Sequence, residues 1–257
     1  MKILILADSP GWIVDRITDV MIANIPHQFT KRYYERINGS DLVRLGNEHD
    51  LVHCQNVIVP TSIPYLQFLR SPLLMSVRSH RYNRDHMISA RSFIGKIHVV
   101  NPYLLEDFPD GHYIPDGIFD QFRPQRQFTV GFAGHPDDYK GFHLIQQACE
   151  EAGVNFKPAI NIKPEDMLEY YKSIDLYVCA SINEGHSTPV MECLAMNIPV
   201  VTTHVGIPRM LNVYKTERTV EGIKSGIERY NSWSQIKDYT WDIVCRQFND
   251  LYIGMVR

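Results

Sequence analysis

The sequence lacks the features that mark membrane, secreted and polyanion-binding proteins. The apolar run within MKILILADSP covers five residues, which is too short for the core of a signal peptide. No segment approaches the roughly 20 apolar residues that a membrane-spanning helix needs. The 26 basic and 29 acidic side chains nearly balance, so composition alone demands no polyanionic partner. We therefore expect a globular protein without an integral membrane segment.

Cysteine is scarce and forms no pattern typical of a metal site. The five cysteines are odd in number, scattered, and mostly set in apolar runs; they are Cys54, Cys149, Cys179, Cys193 and Cys245. Neither a Cys-x-x-Cys motif nor a zinc-type Cys/His spacing occurs among them. The pattern predicts reduced cysteines in the core, a cytoplasmic protein and no bound metal.

Short apolar runs alternate with helical patterns along the 257 residues, a length that suits one large domain or two small ones. Lys2–Ala7 is predicted as a first strand, followed by a glycine-bearing turn and a helix from about Val14. This order is typical of the opening of a doubly wound α/β domain. Gly11 in the turn lets a phosphate or a sugar approach the backbone closely, although a plain turn explains it about as well.

The alternation continues to the end of the chain. Further predicted strands are the runs at 50–55, 73–77, 97–101, 128–132, 155–160 and 175–179. Predicted helices are those at 103–108, at 142–152, from 164 and at 241–252. Strands that alternate with helices predict parallel sheets.

The stretch Cys179–Leu211 carries the densest local signals. Ser187 or Thr188 is placed to cap a helix, and the following proline suits a first helical turn because an N–H there is unsatisfied anyway. Apolar residues on most sides predict that this helix is buried. Asn197 is expected to end the helix in a left-handed conformation. The run at 199–201 is typical of an inner parallel strand.

Two carboxylates bracket the start of this helix, with Glu184 just before it and Glu192 about one turn into it. Unpaired N–H groups and the positive end of the helix dipole attract an anion at such a start. The two glutamates are then placed to accept hydrogen bonds from hydroxyl groups on either side of the anion. A phosphate between two hydroxyl-rich groups describes a nucleotide sugar. An ordinary buried αβ unit is the alternative reading of the same residues.

The same stretch resembles the signature of a known family, E-G-x-x-x-P-x-x-E-A-x-A-x-G-x-P-V-V. The matching positions are Glu184, Gly185, Pro189, Glu192, Ala195, Pro199, Val200 and Val201. The sequence therefore resembles the retaining GT-B glycosyltransferases of the glycosyltransferase 4 type. Cys193 and Asn197 depart from the signature, which usually has Ala and Gly there, and both exchanges are mild.

This resemblance implies an α/β fold of the GT-B type, with two Rossmann-like domains facing a cleft and a C-terminal helix crossing back to the first domain. We place the N-terminal, acceptor-side domain at 1–124 and the C-terminal nucleotide-sugar domain at 125–257. The returning helix is placed at 241–253. The segment from Tyr113 to Pro124 resembles the linker of the family, with Asp116 where Asn is commoner.

The resemblance implies that Glu184 and Lys140 are catalytic residues, and positions that match the family also suggest roles in donor binding. Glu184 is assigned to the sugar hydroxyls, Glu192 to the ribose hydroxyls, and Lys140 to the diphosphate. The backbone N–H groups expected to assist Lys140 are those of His186, Ser187 and Thr188. The side chain of His186 stands in the variable part of the motif and is expected to influence the choice of sugar.

Two glycine-bearing loops complete the implied donor site. Gly134 opens the loop that carries Lys140, and in the family the loop of Gly11 lies against the donor from the first domain. His135 stands where the family has an arginine that grips the diphosphate. A guanidinium binds two phosphate oxygens at once, whereas an imidazole makes a single contact, so either another basic residue compensates or the activity is low.

The candidates for that compensation, Arg78 and Arg81, lie just after the third predicted strand. The family commonly has a histidine there, close to the reacting face of the sugar. That position falls on or near Arg78, with His80 two residues later, and the sequence leaves both open as catalytic residues.

Residues 70–98 have a net charge of +5, which suggests an anionic acceptor. The basic residues are Arg70, Arg78, Arg81, Arg84, Arg91 and Lys96, against the single acidic residue Asp85. Such a segment suits a phosphate-bearing glycan, a lipid or a nucleic acid, and a solvated helix surface explains it equally well.

The resemblance predicts transfer of a sugar from a nucleotide diphosphate sugar, a UDP- or GDP-sugar, to an acceptor hydroxyl with retention at the anomeric carbon. No cofactor and no divalent metal are expected, because Lys140 and the helix start supply the positive charge. Two alternatives stay open: a glycosyltransferase that acts on modified DNA, and a non-catalytic protein that binds nucleotide sugars.

Overall fold

The computed structural model describes residues 1–55, 60–78 and 88–256, with only the backbone described at positions 60, 61 and 207. The chain divides into two compact units, Met1–Arg123 with Asp238–Arg257, and Pro124–Lys237. The last helix therefore belongs to the same unit as the first strand.

The strands of the described residues are numbered in chain order. They are β1 (Lys2–Ala7), β2 (Gln28–Tyr33), β3 (Leu51–Cys54), β4 (Leu73–Val77), β5 (Lys96–Val99), β6 (His112–Tyr113), β7 (Thr129–Ala133), β8 (Asn155–Ala159), β9 (Leu176–Cys179), β10 (Val200–Thr202) and β11 (Tyr214–Lys215).

The α-helices are numbered in the same way. They are α1 (Ile13–Asn24), α2 (Gly39–Gly46), α3 (Phe142–Ala152), α4 (Met167–Lys172), α5 (Thr188–Ala195), α6 (Val220–Tyr230), α7 (Ser232–Ile236) and α8 (Trp241–Val256). Short 3-10 segments lie at Tyr34–Arg36, Pro60–Phe68, Arg91–Phe93, Pro102–Glu106, Asp120–Phe122, Pro164–Asp166 and Ile207–Met210.

The first unit is built on a six-stranded parallel sheet in the order β2-β1-β3-β4-β5-β6. Successive side chains of β1 point to opposite faces, so Ile3 and Leu4 enter two separate cores. The core around Ile3 is completed by α1 and by α8, whose Phe248 and Tyr252 are buried. Both faces of the sheet are therefore covered, as the continuous apolar run of β1 requires.

A chain of buried hydrogen bonds joins α8 to three strands of this sheet. The Tyr252 hydroxyl lies 2.6 Å from His53 Nδ1, and His53 Nε2 lies 2.8 Å from the Ser76 hydroxyl. The same hydroxyl lies 2.7 Å from His98 Nδ1, and His98 Nε2 lies 2.7 Å from the Ile114 carbonyl oxygen. These side chains are fully buried, so the chain satisfies polar groups that have no access to water.

The second unit has a five-stranded parallel sheet in the order β11-β10-β9-β7-β8. Helices α3 and α6 cover one face, and α4 and α5 pack on the other. The edge strand β8 contains Pro158, which is tolerated there because an edge strand leaves one row of N–H groups unpaired. The inner strands β7, β9 and β10 carry the buried Val130, Val178 and Val201.

The predicted α/β class and two parallel sheets of Rossmann-like type are confirmed. The cleft between two facing domains stays a prediction. The strands expected at 50–55, 73–77, 97–101, 128–132, 155–160 and 175–179 are present within two residues of the predicted bounds. The helix expected at 103–108 is instead a 3-10 segment, Pro102–Glu106.

The prediction that α5 is buried on most sides is wrong. Val190 and Cys193 are its buried residues, whereas Ala195 is exposed and Met191 and Leu194 are half-buried. Only one side of α5 packs on the sheet. The apolar composition of the helix therefore did not predict how much of it is buried. The left-handed conformation expected at Asn197 is confirmed, with φ of 57°.

Candidate active site

A cavity of about 340 Å³ opens in the second unit where the strand order changes direction. From β7 the chain passes to β8 on one side of the sheet, and then returns to β9 on the other. Open α/β sheets bind ligands beyond the carboxyl ends of their strands at such a point. The cavity is lined by the ends of β7 and β9 and by the start of α5. Its volume lies in the range of small-molecule sites.

Lys140 and Glu184 meet at this cavity although 44 positions separate them in the chain. Lys140 Nζ lies 2.6 Å from Glu184 Oε1, and the Ser181 hydroxyl donates to the same oxygen at 2.6 Å. The Glu184 side chain is 12% exposed and that of Lys140 29%, so this ion pair is partly shielded from water. Two residues that the sequence predicted as catalytic are therefore in direct contact.

The loop that carries Lys140 lies directly on the segment that follows β9. The Ile182 N–H donates to the Tyr139 carbonyl at 2.8 Å. Gly141 is left-handed, with φ of 73°, and a methyl group on it would lie 2.4 Å from the Ala180 carbonyl oxygen. A larger residue does not fit this approach of backbone to backbone, so the glycine after Lys140 has a structural reason.

The start of α5 forms the remaining wall of the cavity. Ser187 occupies the position before the helix in a left-handed conformation, with φ of 51°, and its side chain makes no capping bond, contrary to prediction. Its carbonyl oxygen instead accepts the Val190 N–H at 3.0 Å. Among the described residues, no hydrogen bond occupies the backbone N–H groups of His186, Ser187 or Thr188. These N–H groups at a helix start provide a place for an anion.

Glu192 lies outside the residues that line the cavity. The Tyr171 hydroxyl donates to Glu192 Oε2 at 2.6 Å. Burial of the ring and the neighbouring carboxylate both raise the pKa of Tyr171, so its hydroxyl stays protonated and remains a donor. Glu192 lies on α5, where Tyr171 holds its carboxylate.

Gly134 and His135 also lie outside the cavity lining. Gly134 has φ of 143°, and a methyl group on it would lie 3.7 Å from Lys140 Cε. The His135 side chain is exposed. Among the described lining residues, Lys140 is the single lysine or arginine. The arginine that the family has at the position of His135 is therefore not replaced within this cavity.

Arg78 and Gly11 lie in the first unit, and each has a partner there. Arg78 Nη1 donates to both carboxylate oxygens of Asp116 at 2.6 and 2.7 Å, and its Nε donates to the Gln55 carbonyl at 2.9 Å. The Gly11 N–H donates to Asp15 Oδ2 at 2.7 Å. The guanidinium of Arg78 is therefore paired with Asp116, which argues against Arg78 as the residue that replaces the diphosphate-binding arginine of the family.

The predicted catalytic residue His80 and the alternative cation Arg81 lie outside the described residues, as do Arg84, Asp85 and His86. In the described part of the basic segment, Arg91 pairs with Asp110 and Arg78 pairs with Asp116. Part of the net charge that suggested an anionic acceptor is thus neutralised by carboxylates elsewhere in the chain.

Sequence reasoning missed three residues that shape the site. Ser181 holds Glu184, and Tyr171 holds Glu192. Gly206, with φ of 48°, passes so close that a methyl group on it would lie 2.3 Å from the Glu184 carbonyl oxygen. Ser181 was detectable, because it follows the carboxyl end of an inner strand. The contacts of Tyr171 and Gly206 depend on tertiary packing, which the sequence does not display.

The described residues contain neither a metal-binding cluster nor a membrane-spanning helix. No group of three or more histidine, cysteine or acidic side chains there is arranged to hold a metal ion. No helix among them combines the length and the apolarity that crossing a bilayer requires.

The segment that contains this cavity matches a known protein family in sequence. Residues 103–226 match the family described as Glycosyl transferases group 1. The match covers a little under half of the chain and includes Lys140, Ser181, Glu184 and Glu192. It indicates glycosyl transfer as the class of reaction. No curated protein sequence matches the chain.

Several solved structures resemble the chain at low identity. The lipopolysaccharide outer core galactosyltransferase WaaB in its apo form is 11% identical, with 99% of each chain covered and a TM-score of 0.42. Sucrose-phosphate synthase from Thermosynechococcus elongatus is 12% identical over 99% of this chain and 98% of that chain, with a TM-score of 0.37. The catalytic domain of starch synthase IV from Arabidopsis thaliana, bound to ADP and acarbose, is 11% identical over 99% of each chain, with a TM-score of 0.40. At these scores the likenesses carry no argument about this chain.

Proposed function

We propose that the chain is a retaining glycosyltransferase that moves a sugar from a nucleotide diphosphate sugar to an acceptor hydroxyl. One observation carries the proposal: an ammonium, a carboxylate and the start of a helix border the same cavity at the carboxyl ends of β7 and β9. An ordinary αβ unit has no need to bring Lys140 and Glu184 together there. The match to group 1 glycosyltransferases supports the same reaction class.

Each group has a role that follows from its charge. When the bond between the sugar and the diphosphate breaks, negative charge accumulates on the leaving phosphate. Lys140 and the N–H groups at the start of α5 stabilise that charge because they are already oriented toward it. Glu184 accepts hydrogen bonds from the sugar hydroxyls, and Ser181 fixes its carboxylate. Glu192, held by Tyr171, accepts hydrogen bonds from the ribose.

The finer assignments belong to the same proposal. The donor is a UDP- or GDP-sugar, and the enzyme is of the glycosyltransferase 4 type. Transfer is independent of divalent metal, because Lys140 and the helix start supply the positive charge, so a chelator should leave the rate unchanged. The five cysteines are buried and form no disulfide bonds, which suits a reducing compartment and supports a cytoplasmic location.

The first experiment identifies the donor by thermal shift, using UDP, GDP, ADP, TDP and their common sugar conjugates. A ligand at a hundred times its dissociation constant adds about 2.7 kcal/mol of stability, or a shift of a few degrees for a chain of this size. A shift with one nucleotide names the base. Nuclear magnetic resonance of the product then tests retention through the configuration at the anomeric carbon. If no nucleotide and no conjugate shifts the transition, the proposed donor site is wrong.

The second experiment tests the two charged residues. We expect Glu184→Gln and Lys140→Met each to lower kcat at least about 100-fold, because each removes stabilisation that the site provides before reaction. Matched controls in the same unit are the exposed Glu150→Gln and Lys163→Met, which should keep wild-type kcat. Transfer at the wild-type rate by the folded Glu184→Gln protein would exclude the mechanism.

A further inference from the structure

The two charged residues of the cavity arrive on separate arms of the second unit. Lys140 lies in the loop after β7, which we name the lysine arm (residues 134–141). Glu184 lies in the segment after β9, which we name the glutamate arm (residues 180–185). The 2.6 Å contact between Lys140 Nζ and Glu184 Oε1 exists only while the two arms stay docked. What holds the arms together therefore decides the geometry of the site.

Apart from the ion pair of Lys140 and Glu184, the direct contacts between the arms that the described residues show involve the backbone. The Ile182 N–H donates to the Tyr139 carbonyl, and Gly141 lies against Ala180. Tyr139 and Ile182 are both exposed, at 49% and 57%, so their side chains add little burial at this junction. A junction of this kind is weak by itself, since one exposed hydrogen bond contributes only modestly to stability.

A single guanidinium spans the junction from a third part of the chain. Arg218 Nε donates to the Ala180 carbonyl at 2.8 Å, and Arg218 Nη2 donates to the Asp138 carbonyl. One acceptor lies on the glutamate arm and the other on the lysine arm. The planar, rigid fork of an arginine fixes the separation of its two acceptors, which a lysine with a single ammonium does not do.

Arg218 is itself held in place by ordered backbone on both sides. The Thr216 N–H donates to the Thr202 carbonyl, which continues the ladder of the sheet. The Thr219 hydroxyl caps α6 by accepting the Gly222 N–H at 3.0 Å. Gly226 brings α6 close to β10, because a methyl group on it would lie 2.8 Å from Val201. The guanidinium therefore projects from a fixed base.

We propose that Arg218 is a positioning residue of this site: it clamps the lysine arm to the glutamate arm and thereby sets the distance between Lys140 and Glu184. Arg218 does not line the cavity and acts through the two backbone carbonyls that it binds. It thus differs from the arginine that the family resemblance implied at His135, which would have gripped the donor directly. The catalytic consequence of the clamp rests on the proposed function, whereas the docking of the arms does not.

The test compares Arg218→Met and Arg218→Lys with the same two substitutions at Arg229. Arg229 lies in the last turn of α6, 5.2 Å over the Tyr214 ring, and among the described residues no hydrogen bond or ion pair joins its side chain to either arm. Arg218→Lys keeps the charge and loses the fork, so it separates positioning from long-range electrostatics. It also serves as the informative variant if Arg218→Met does not fold.

The first readout is amide hydrogen exchange, which needs no activity. We expect the Ile182 amide to exchange at least about tenfold faster in both Arg218 variants, because the docked arms open more often, and to keep its wild-type rate in both Arg229 variants. An unchanged Ile182 amide in Arg218→Met and Arg218→Lys would show that the arms dock without the clamp and would overturn the proposal.

The second readout is kcat and KM for the donor found by thermal shift. We expect kcat to fall about 10- to 100-fold in both Arg218 variants, since small displacements of reacting groups have effects of this size, and the Arg229 variants to keep wild-type kcat. Wild-type kcat in Arg218→Lys would show that charge alone suffices and would overturn the clamp. If the wild-type protein transfers no sugar at all, the proposed function fails, and hydrogen exchange still decides whether Arg218 docks the arms.

Discussion

Gly141 and Gly153 lie at the two ends of α3 and have the same left-handed backbone in different surroundings. Their φ angles are 73° and 64°. A methyl group on Gly153 would meet nothing within 4 Å, whereas one on Gly141 would lie 2.4 Å from the Ala180 carbonyl oxygen and 2.7 Å from Ala180 Cβ. The pair therefore separates the cost of the backbone conformation from the cost of crowding.

We expect Gly153→Ala to lower the free energy of unfolding by about 1 kcal/mol, the cost of a left-handed conformation for a residue with a Cβ. Gly141→Ala should lower it by about 3 kcal/mol, because overpacking adds to the same conformational cost. Urea unfolding of both variants measures the difference. Equal losses in the two variants would show that the lysine arm moves away from Ala180 at no cost.

At the scale of single residues, the sequence predicted which side chains belong to the site better than it predicted the contacts between them. The left-handed Asn197 follows from its place after a helix, Glu184 was found from a local pattern, and Lys140 was found from the family resemblance. Their direct ion pair was not foreseen, because it depends on two strand ends that meet in the sheet. Ser187 does not cap α5 through its side chain, and its left-handed backbone differs from the extended backbone that a capping residue usually has.

Helix α8 and strands β3, β4 and β5 are joined by hydrogen bonds that can run in only one direction. The Ile114 carbonyl accepts, so His98 carries its proton on Nε2 and accepts the Ser76 hydroxyl on Nδ1. Ser76 then accepts from His53 Nε2, and His53 Nδ1 accepts the Tyr252 hydroxyl. One carbonyl thus fixes the tautomers of two buried histidines.

Because the direction is fixed, Tyr252→Phe removes the one donor to His53 Nδ1 that the described residues show. We expect the free energy of unfolding to fall by about 1–3 kcal/mol, the cost of a buried acceptor without a partner. Tyr103→Phe, at a site that is 69% exposed, is the control and should be neutral. Guanidinium unfolding measures both variants. A neutral Tyr252→Phe would mean that His53 finds another donor.

Acid should destabilise the protein through the same elements. Burial lowers the pKa of His98 to about 3 and holds the pKa of His53 well below its usual range, and the pKa values of His27 and His112 are also lowered. Below about pH 6.5 the histidines bind protons in the unfolded chain, whereas the buried histidines of the folded chain stay neutral. The free energy of unfolding therefore falls as the pH falls, by up to about 1.4 kcal/mol per pH unit for each buried histidine.

The measurement is urea unfolding between pH 7.5 and 5, above the range in which most carboxylates titrate. The slope should decrease when His98 is replaced by Gln, provided that the variant folds; His112→Gln offers a second comparison at a less buried histidine. A free energy of unfolding that does not change over this pH window would contradict the expected protonation states.

At the scale of the elements, the sequence pattern predicted the buried strands and did not predict the exposed ones. The run of β1 was evident because both faces of the sheet are covered. The edge strand β2, with the sequence QFTKRY, was not predicted, because its half-exposed residues show no apolar run. Helices α2 and α6 were also not predicted, although α6 buries as many residues as the predicted helix α3.

The molecule as a whole is not two consecutive units, since α8 completes the core of the first unit after the chain has built the second. We expect a chain that ends at residue 237 to keep the second unit folded and to lose the first. The buried side chains of α8 include Trp241, Val244, Phe248 and Tyr252. At about 1.5–3 kcal/mol for each large apolar side chain, their removal exceeds the low end of the stability of a typical domain.

Limited proteolysis of the truncated chain, with fragments identified by mass, measures this effect. Protection should be confined to fragments within residues 124–237, whereas the full chain should be protected on both sides of that range. Protection of residues 1–123 in the truncated chain would show that the first unit is stable without α8.

At this scale, the sequence predicted the fold class, because alternating strands and helices dictate parallel sheets. The return of the last helix was expected from the family resemblance and not from the apolar stripe of α8, which predicts burial without naming a partner. The position of Arg218 between two arms had no sequence signal, since it depends on a strand, a cap and a helix acting together.

The interrupted path of the first unit also sets the order of events on the ribosome. The second unit, Pro124–Lys237, leaves the exit tunnel complete and is free to fold while the first unit still lacks α8. The first unit waits for α8 while residues 124–256 are synthesised, which takes on the order of 10 s at bacterial or eukaryotic rates of elongation. During that time the core that contains Ile3, Leu51 and Leu74 has α1 but lacks α8, so that face of the sheet is only partly covered. The nascent chain thus exposes an apolar surface on the first unit that chaperones can bind. This surface is covered when α8 has been synthesised and packs on it.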